Sequence, residues 1–181
     1  MKKHNGQNQL FHYAFTSHRD RMIIDYLANH KQFIPEIADL IYGQWSDLFQ
    51  ADGIGKDQLL AMLEVRANTK QLPITFVALM NGELLGTGSI KLEEPGTKAG
   101  LSPWLAGIYT KQPYRGSGVG VQIVSALEAK ARDLGVETMY LSVGSAVGFY
   151  TQLGWSIMEK QINSFGVKEV TLMSKRLTSA A

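Results

Sequence analysis

The sequence predicts one mixed α/β domain, a central sheet with helices packed against it. Three observations lead there. At 181 residues and 20.0 kDa the chain is the size of one ordinary domain. Its 45% hydrophobic and 19% charged residues sit near the norm for globular proteins, which excludes disorder, coiled coil and collagen. Strand-like and helix-like periodicities alternate along it without repeats or a Pro-, Gly- or Ser-rich linker.

Residues 1–20 are polar and read as a loosely packed N-terminal arm, and the domain proper is expected over 21–177. His4, His12 and His18 lie in that arm with no further ligand at helical spacing, so no metal site is expected. Met22 to Leu27 reads as the first strand. Ile34, Ile37, Leu40, Ile41 and Trp45 recur at helical period behind Pro35, a residue tolerated in a first helical turn. That helix has no sharp stop before Gly53. Lys56 to Asn68 is the second helix. Pro73 to Met80 and Glu83 to Leu92 form strands around Asn81-Gly82, a strong hairpin signal. A loop with Pro95, Gly96 and Gly100 leads to a strand over Trp104 to Thr110. Gly118 to Leu134 is the clearest helix: Gly120, Ile123, Val124, Leu127, Ala131 and Leu134 form its apolar stripe, and Gly135 stops it. Val136 to Val143 is a strand and Ala146 to Leu153 a short helix. Trp155 to Lys160 and Glu169 to Lys175 are the closing strands.

Composition narrows the function. Lys+Arg 18 against Asp+Glu 16 leaves a formal +2, too balanced for a chain whose business is gripping nucleic acid. No apolar run approaches the ~20 residues of a membrane helix, and no apolar h-region follows Lys2 and Lys3. There are no cysteines, which excludes a disulfide scaffold, a thiolate metal site and a cysteine nucleophile. A cytoplasmic location is expected.

The chemistry is concentrated in Ile108 to Gly120. A strand ends, a turn follows, and Gly116, Gly118 and Gly120 open the long helix. Glycines remove Cβ atoms from the path of a ligand. The first helical N–H groups lack internal acceptors and share the positive end of the dipole. Phosphate or pyrophosphate is the natural occupant, and Arg115 is placed to add a charge-assisted bond. The dinucleotide pattern G-x-G-x-x-G fails at Val121, which weakens a nicotinamide-dependent oxidoreductase. The Walker pattern fails at Gln50 and at Asp57 after Gly55-Lys56. The pattern R-x-x-G-x-G is met by Arg115, Gly118 and Gly120.

With that motif, residues 102–177 resemble the GNAT N-acetyltransferase superfamily. The second signature, A-x-x-F-Y-x-x-L-G-[FW], is matched downstream by Ala146, Phe149, Tyr150, Leu153, Gly154 and Trp155. Trp45 and Trp104-Leu105-Ala106 resemble one bacterial branch of generic acetyltransferases. The resemblance implies a mostly antiparallel sheet that splays between its fourth and fifth strands. It implies acetyl-CoA as co-substrate, its pyrophosphate held by Arg115, Gly116, Ser117, Gly118, Val119 and Gly120. Ile108 and Thr110 would pair with the pantetheine arm, helped by a bulge at Gly107, and the amide of Ile108 or Tyr109 would polarise the thioester. Tyr150 matches the general acid. The general base stays open among Glu93, Glu94 and a water ordered by Ser142. Val143-Gly144-Ser145 stands where the family often carries an Asn. The expected activity is direct acetyl transfer to a primary amine, on a small molecule or peptide N-terminus. A non-catalytic acyl-CoA sensor is the alternative. Neither nucleic acid nor membrane is an expected partner, and a homodimer is compatible with the sequence. The acceptor itself carries no motif.

Overall fold

The structure is a computed structural model that describes residues 21–94, 100–162 and 169–177. The arm expected over residues 1–20, with its three histidines, lies outside the described residues, as do Pro95 to Ala99.

The elements run β1 (Ile23–Tyr26), α1 (Ile34–Gln44), α2 (Ser46–Ala51), α3 (Lys56–Arg66), β2 (Ile74–Met80), β3 (Glu83–Lys91), β4 (Trp104–Thr110), α4 (Val119–Asp133), β5 (Thr138–Val143), α5 (Val147–Gln152), β6 (Ser156–Ile162) and β7 (Glu169–Arg176). One sheet takes the order β1-β2-β3-β4-β5-β7-β6. Every neighbouring pair is antiparallel except β4 and β5.

Side-chain alternation on β2 divides the core between the two faces of the sheet, as period-2 geometry requires. Phe76 and Ala78 join Ile123, Val124 and Leu127 of α4. Val77 and Leu79 join Ile37 and Ile41 of α1 and Leu59 and Leu63 of α3. Both faces of β2 and β3 are therefore covered, which is why β2 reads as a near-continuous apolar run. Their hairpin turns through Asn81 (φ 53°) and Gly82 (φ 80°), the two positive angles a two-residue type I′ connection needs.

Two local readings are corrected. The first helix does not run loosely toward Gly53: Trp45 leaves the helical region at φ −127°, ψ 31°, and α2 starts afresh at Ser46. Leu134 does not belong to the buried stripe of α4. It follows the last helical residue and is 37% exposed, while Ile123, Val124, Leu127 and Ala131 are buried.

The feature that positions the site is the junction of β4 and β5. The two strands share a single register pair, Trp104 opposite Tyr140. The Tyr140 amide donates to the Pro103 carbonyl at 3.0 Å, and the two rings sit 5.8 Å apart. Beyond that pair the strands diverge, so the rest of β4 has β3 on one side and a gap on the other.

Candidate active site

A cleft of about 480 Å³ opens where β4 and β5 part, within the size range of small-molecule sites. One wall is β4, with Ala106, Gly107, Ile108, Tyr109 and Thr110. The other is the end of β5 and its following turn, Ser142 to Ala146, with Tyr150 behind it.

Pairing with β3 shapes the first wall. Thr87 stands opposite Tyr109 and Ser89 opposite Ala106, so three steps on β4 match two on β3. The extra residue is the bulge expected at Gly107, whose φ of +61° suits glycine far better than any side chain. The close approach of β3 is equally specific: a Cβ on Gly86 would lie 2.5 Å from the Tyr109 carbonyl oxygen.

At the open end the chain turns from β4 into α4. Tyr114 N–H donates to Lys111 O at 2.9 Å, and Ser117 Oγ donates to Tyr114 O at 2.6 Å. Arg115 Nε donates to Thr110 O at 3.1 Å, and its guanidinium carbon lies 5.7 Å from the Tyr109 ring centre. One donor of Arg115 is spent on holding the turn, and the side chain itself is exposed at the cleft mouth. Gly116 (φ +77°) and Gly118 (φ +87°) are left-handed, and nothing lies within 4 Å of a Cβ added to either. No side chain caps α4. Its first N–H groups thus face open space bordered by Arg115, the arrangement that holds anions. Lys111 closes the far side of the strand by donating to Glu36 of α1 at 2.9 Å; that bond, before any other influence, raises its pKa.

Tyr150 is 8% exposed and belongs to the main core cluster while still lining the cleft. Its ring meets Phe149 edge-on at 4.9 Å and Trp155 at 6.2 Å. Burial pushes its phenol up to about 12. The hydroxyl donates to no other group among the described residues.

The structure therefore brings Ile108, Tyr109, Thr110, Arg115 and Tyr150 around one cleft. Gly116, Ser117, Gly118, Val119 and Gly120 do not line it; they follow Arg115 in the turn and first residues of α4. Glu94 and Ser142 line the cleft, whereas Glu93 does not and is exposed. Trp45 lines it too, edge-on to Tyr109 at 6.4 Å. Sequence reasoning missed Arg66 and Lys91, which line the end away from Arg115. Neither stands in a motif. Among the described residues no cluster of His, Asp and Glu is arranged to hold a metal ion, and no helix is long and apolar enough to cross a membrane.

Comparison with known proteins agrees with this geometry. The model of the acetyltransferase (GNAT) family matches residues 35–155. No curated protein sequence matches the chain. Among solved structures, an aminoglycoside 6′-N-acetyltransferase complexed with coenzyme A is 19% identical, with 88% of this chain and 99% of that one covered at a TM-score of 0.68. The structure of yncA from Salmonella typhimurium with its cofactor acetyl-CoA is 22% identical over 88% and 96%, TM-score 0.63. The ribosomal-protein-S18-alanine N-acetyltransferase from Escherichia coli is 15% identical over 89% and 97%, TM-score 0.60. At these identities the likeness is one of fold.

Proposed function

The chain belongs to the acetyltransferase (GNAT) family, and on that premise we propose that it moves an acetyl group from acetyl-CoA directly onto a primary amine. The observation that carries this reading is the single-pair junction of β4 and β5. It leaves an unpaired strand edge leading from the open, glycine-lined start of α4 into a cleft.

Acetyl-CoA supplies an activated acyl thioester. The amides at the start of α4 and the free donors of Arg115 suit its pyrophosphate. The backbone of Ile108 and Thr110 suits the pantetheine amides, which pair as an added strand would. The bulge at Gly107 turns the Ile108–Tyr109 segment toward the thioester carbonyl, where an amide donor stabilises the oxyanion that develops on attack. The amine nitrogen forms the new N–C bond as the C–S bond breaks. The CoA sulfur leaves with the electron pair and takes a proton from the Tyr150 phenol. The amine's surplus proton passes to solvent, and the Tyr150 phenolate regains its own proton from solvent before the next turnover. The chain contains no cysteine, so the acetyl group is not parked on a protein thiol.

The test is release of free CoA, read with a thiol reagent, from purified protein, acetyl-CoA and a panel of primary amines. Turnover above thioester hydrolysis is expected. Silence across a broad panel of metabolite, aminoglycoside and peptide amines sinks the proposal. With no thiol in the protein the background is clean.

A further inference from the structure

We infer that the acceptor is an amine that also carries a carboxylate, and that Arg66 is the anchor for that carboxylate. This rests on the acetyl-transfer reading above and adds to it the chemical class of the acceptor.

Arg66 is the last residue of α3. It is only 9% exposed, yet it lines the cleft. A guanidinium carries five N–H donors, and among the described residues those of Arg66 are donated to nothing and pair with no carboxylate within 4.0 Å. Burial lowers its pKa, and the nearby charge of Glu94 only partly offsets this. Glu94 is itself engaged by the Lys91 ammonium, which also lines the cleft. Buried charges are ordinarily paired, because desolvation of a lone ion is costly. A buried, forked cation whose donors are unspent, beside a Glu94 carboxylate already engaged by Lys91, is therefore arranged for an anion from outside. The planar fork suits a carboxylate bidentately.

The cleft walls also include Trp45, Phe49 and Met62. They exclude water and strengthen a charge-assisted bond. The carboxylate end of the acceptor lies at Arg66, and the amine end points along the cleft toward Ile108 and Tyr150. A polycationic acceptor would meet an unneutralised cation there, so the site disfavours it.

The experiment compares α- and ω-amino acids with their carboxamides, which keep the amine and lose the negative charge. Turnover is read as CoA release, and binding to the CoA-loaded protein by titration calorimetry. For the best amino acid, wild-type kcat/KM should exceed that of its carboxamide roughly 10- to 100-fold, the worth of a hydrogen-bonded charge pair. Arg66→Gln should bring the ratio near one through the acceptor KM, with the acetyl-CoA KM unchanged. Arg66→Lys should retain part of the preference. Wild-type turnover of carboxamides at the same or a greater rate removes the carboxylate and leaves acetyl transfer standing. A preference that survives in Arg66→Gln removes Arg66. Preferential binding of the acid, lost in Arg66→Gln, without turnover of any probe keeps the anchor and removes acetyl transfer. Absence of both binding and turnover for every amino acid overturns the anchor.

Discussion

Trp155 donates its indole N–H to Glu128 across 2.9 Å, tying the residue that ends the second signature to the buried face of α4. Lys175 of β7 closes the triangle, donating to Glu128 Oε2 at 2.6 Å and to the Leu153 carbonyl at 2.7 Å. Trp155 N–H donates in turn to Tyr150 O at 3.0 Å. Glu128 is 6% exposed, so the ion pair is largely dry. Replacing Glu128 by Ala leaves a buried indole donor and a half-buried ammonium without their acceptor. The expected loss is about 3–5 kcal/mol of unfolding free energy. Glu128→Gln retains one acceptor and should lose less. Urea unfolding of both variants decides it, and equal losses would refute the pairing.

Gly86 carries a sharper constraint. Its missing Cβ leaves room for the Tyr109 carbonyl, and backbone cannot swing aside as a side-chain tip can. Gly86→Ala should push β4 outward, costing about 1–3 kcal/mol of stability, and, if β4 holds the coenzyme as proposed, raise the acetyl-CoA KM several-fold. A variant with unchanged KM would show that this strand does not touch the coenzyme.

Gly118 is the opposite case. Nothing crowds it, but its φ of +87° costs an alanine roughly 1–2 kcal/mol. Gly118→Ala should weaken acetyl-CoA binding measured by calorimetry, with little effect on kcat at saturation. Undiminished affinity would place the pyrophosphate elsewhere.

Tyr150 can be judged by removing one oxygen. Tyr150→Phe keeps the contacts with Phe149 and Trp155, so the fold should survive. If the phenol protonates the leaving thiolate, kcat should fall about 10²- to 10⁴-fold with acetyl-CoA affinity within a few-fold of wild type. An unaltered kcat would make Tyr150 a core tyrosine and favour a non-catalytic acyl-CoA sensor.

The same burial sets a pH dependence. A phenol at about 12 in the folded protein, against about 10 when unfolded, binds its proton more tightly when folded. Its stabilising contribution is whole below pH ~10 and is lost as pH rises toward 12. Activity should accordingly climb with pH as the acceptor deprotonates, with no falling limb from Tyr150 below pH ~10. Wild type should also lose more stability than Tyr150→Phe between pH 10 and 12, checked by thermal melts.

Much of this molecule was legible residue by residue. Asn81-Gly82 forces a turn by its own backbone preferences, and β4 begins and ends where its apolar run does. The stripe on α4 identifies its buried face, and Arg115 to Gly120 point to an anion by local geometry. What stayed hidden depends on segments distant in sequence. Glu128 reads as a surface charge until Trp155 and Lys175 arrive from 27 and 47 residues later. Arg66 reads as an ordinary cation at a helix end, and only the packing of α3 against α1 and β2 puts it in a cleft. The short α2 has too few residues to show a period. The parting of β4 from β5 is a matter of register between strands, which neither strand's own sequence reports; it was expected only through family resemblance.

The lone register pair Trp104–Tyr140 has a mechanical consequence. The sheet is two rafts moored at one point, β1 to β4 on one side and β5 to β7 on the other, with α4 lashed across. An occupant hydrogen-bonded along β4 would act as a missing plank. Saturation at a hundred times its dissociation constant should add about 2.7 kcal/mol to the unfolding free energy. Hydrogen exchange should slow most along 105–110, so the coenzyme would double as scaffolding.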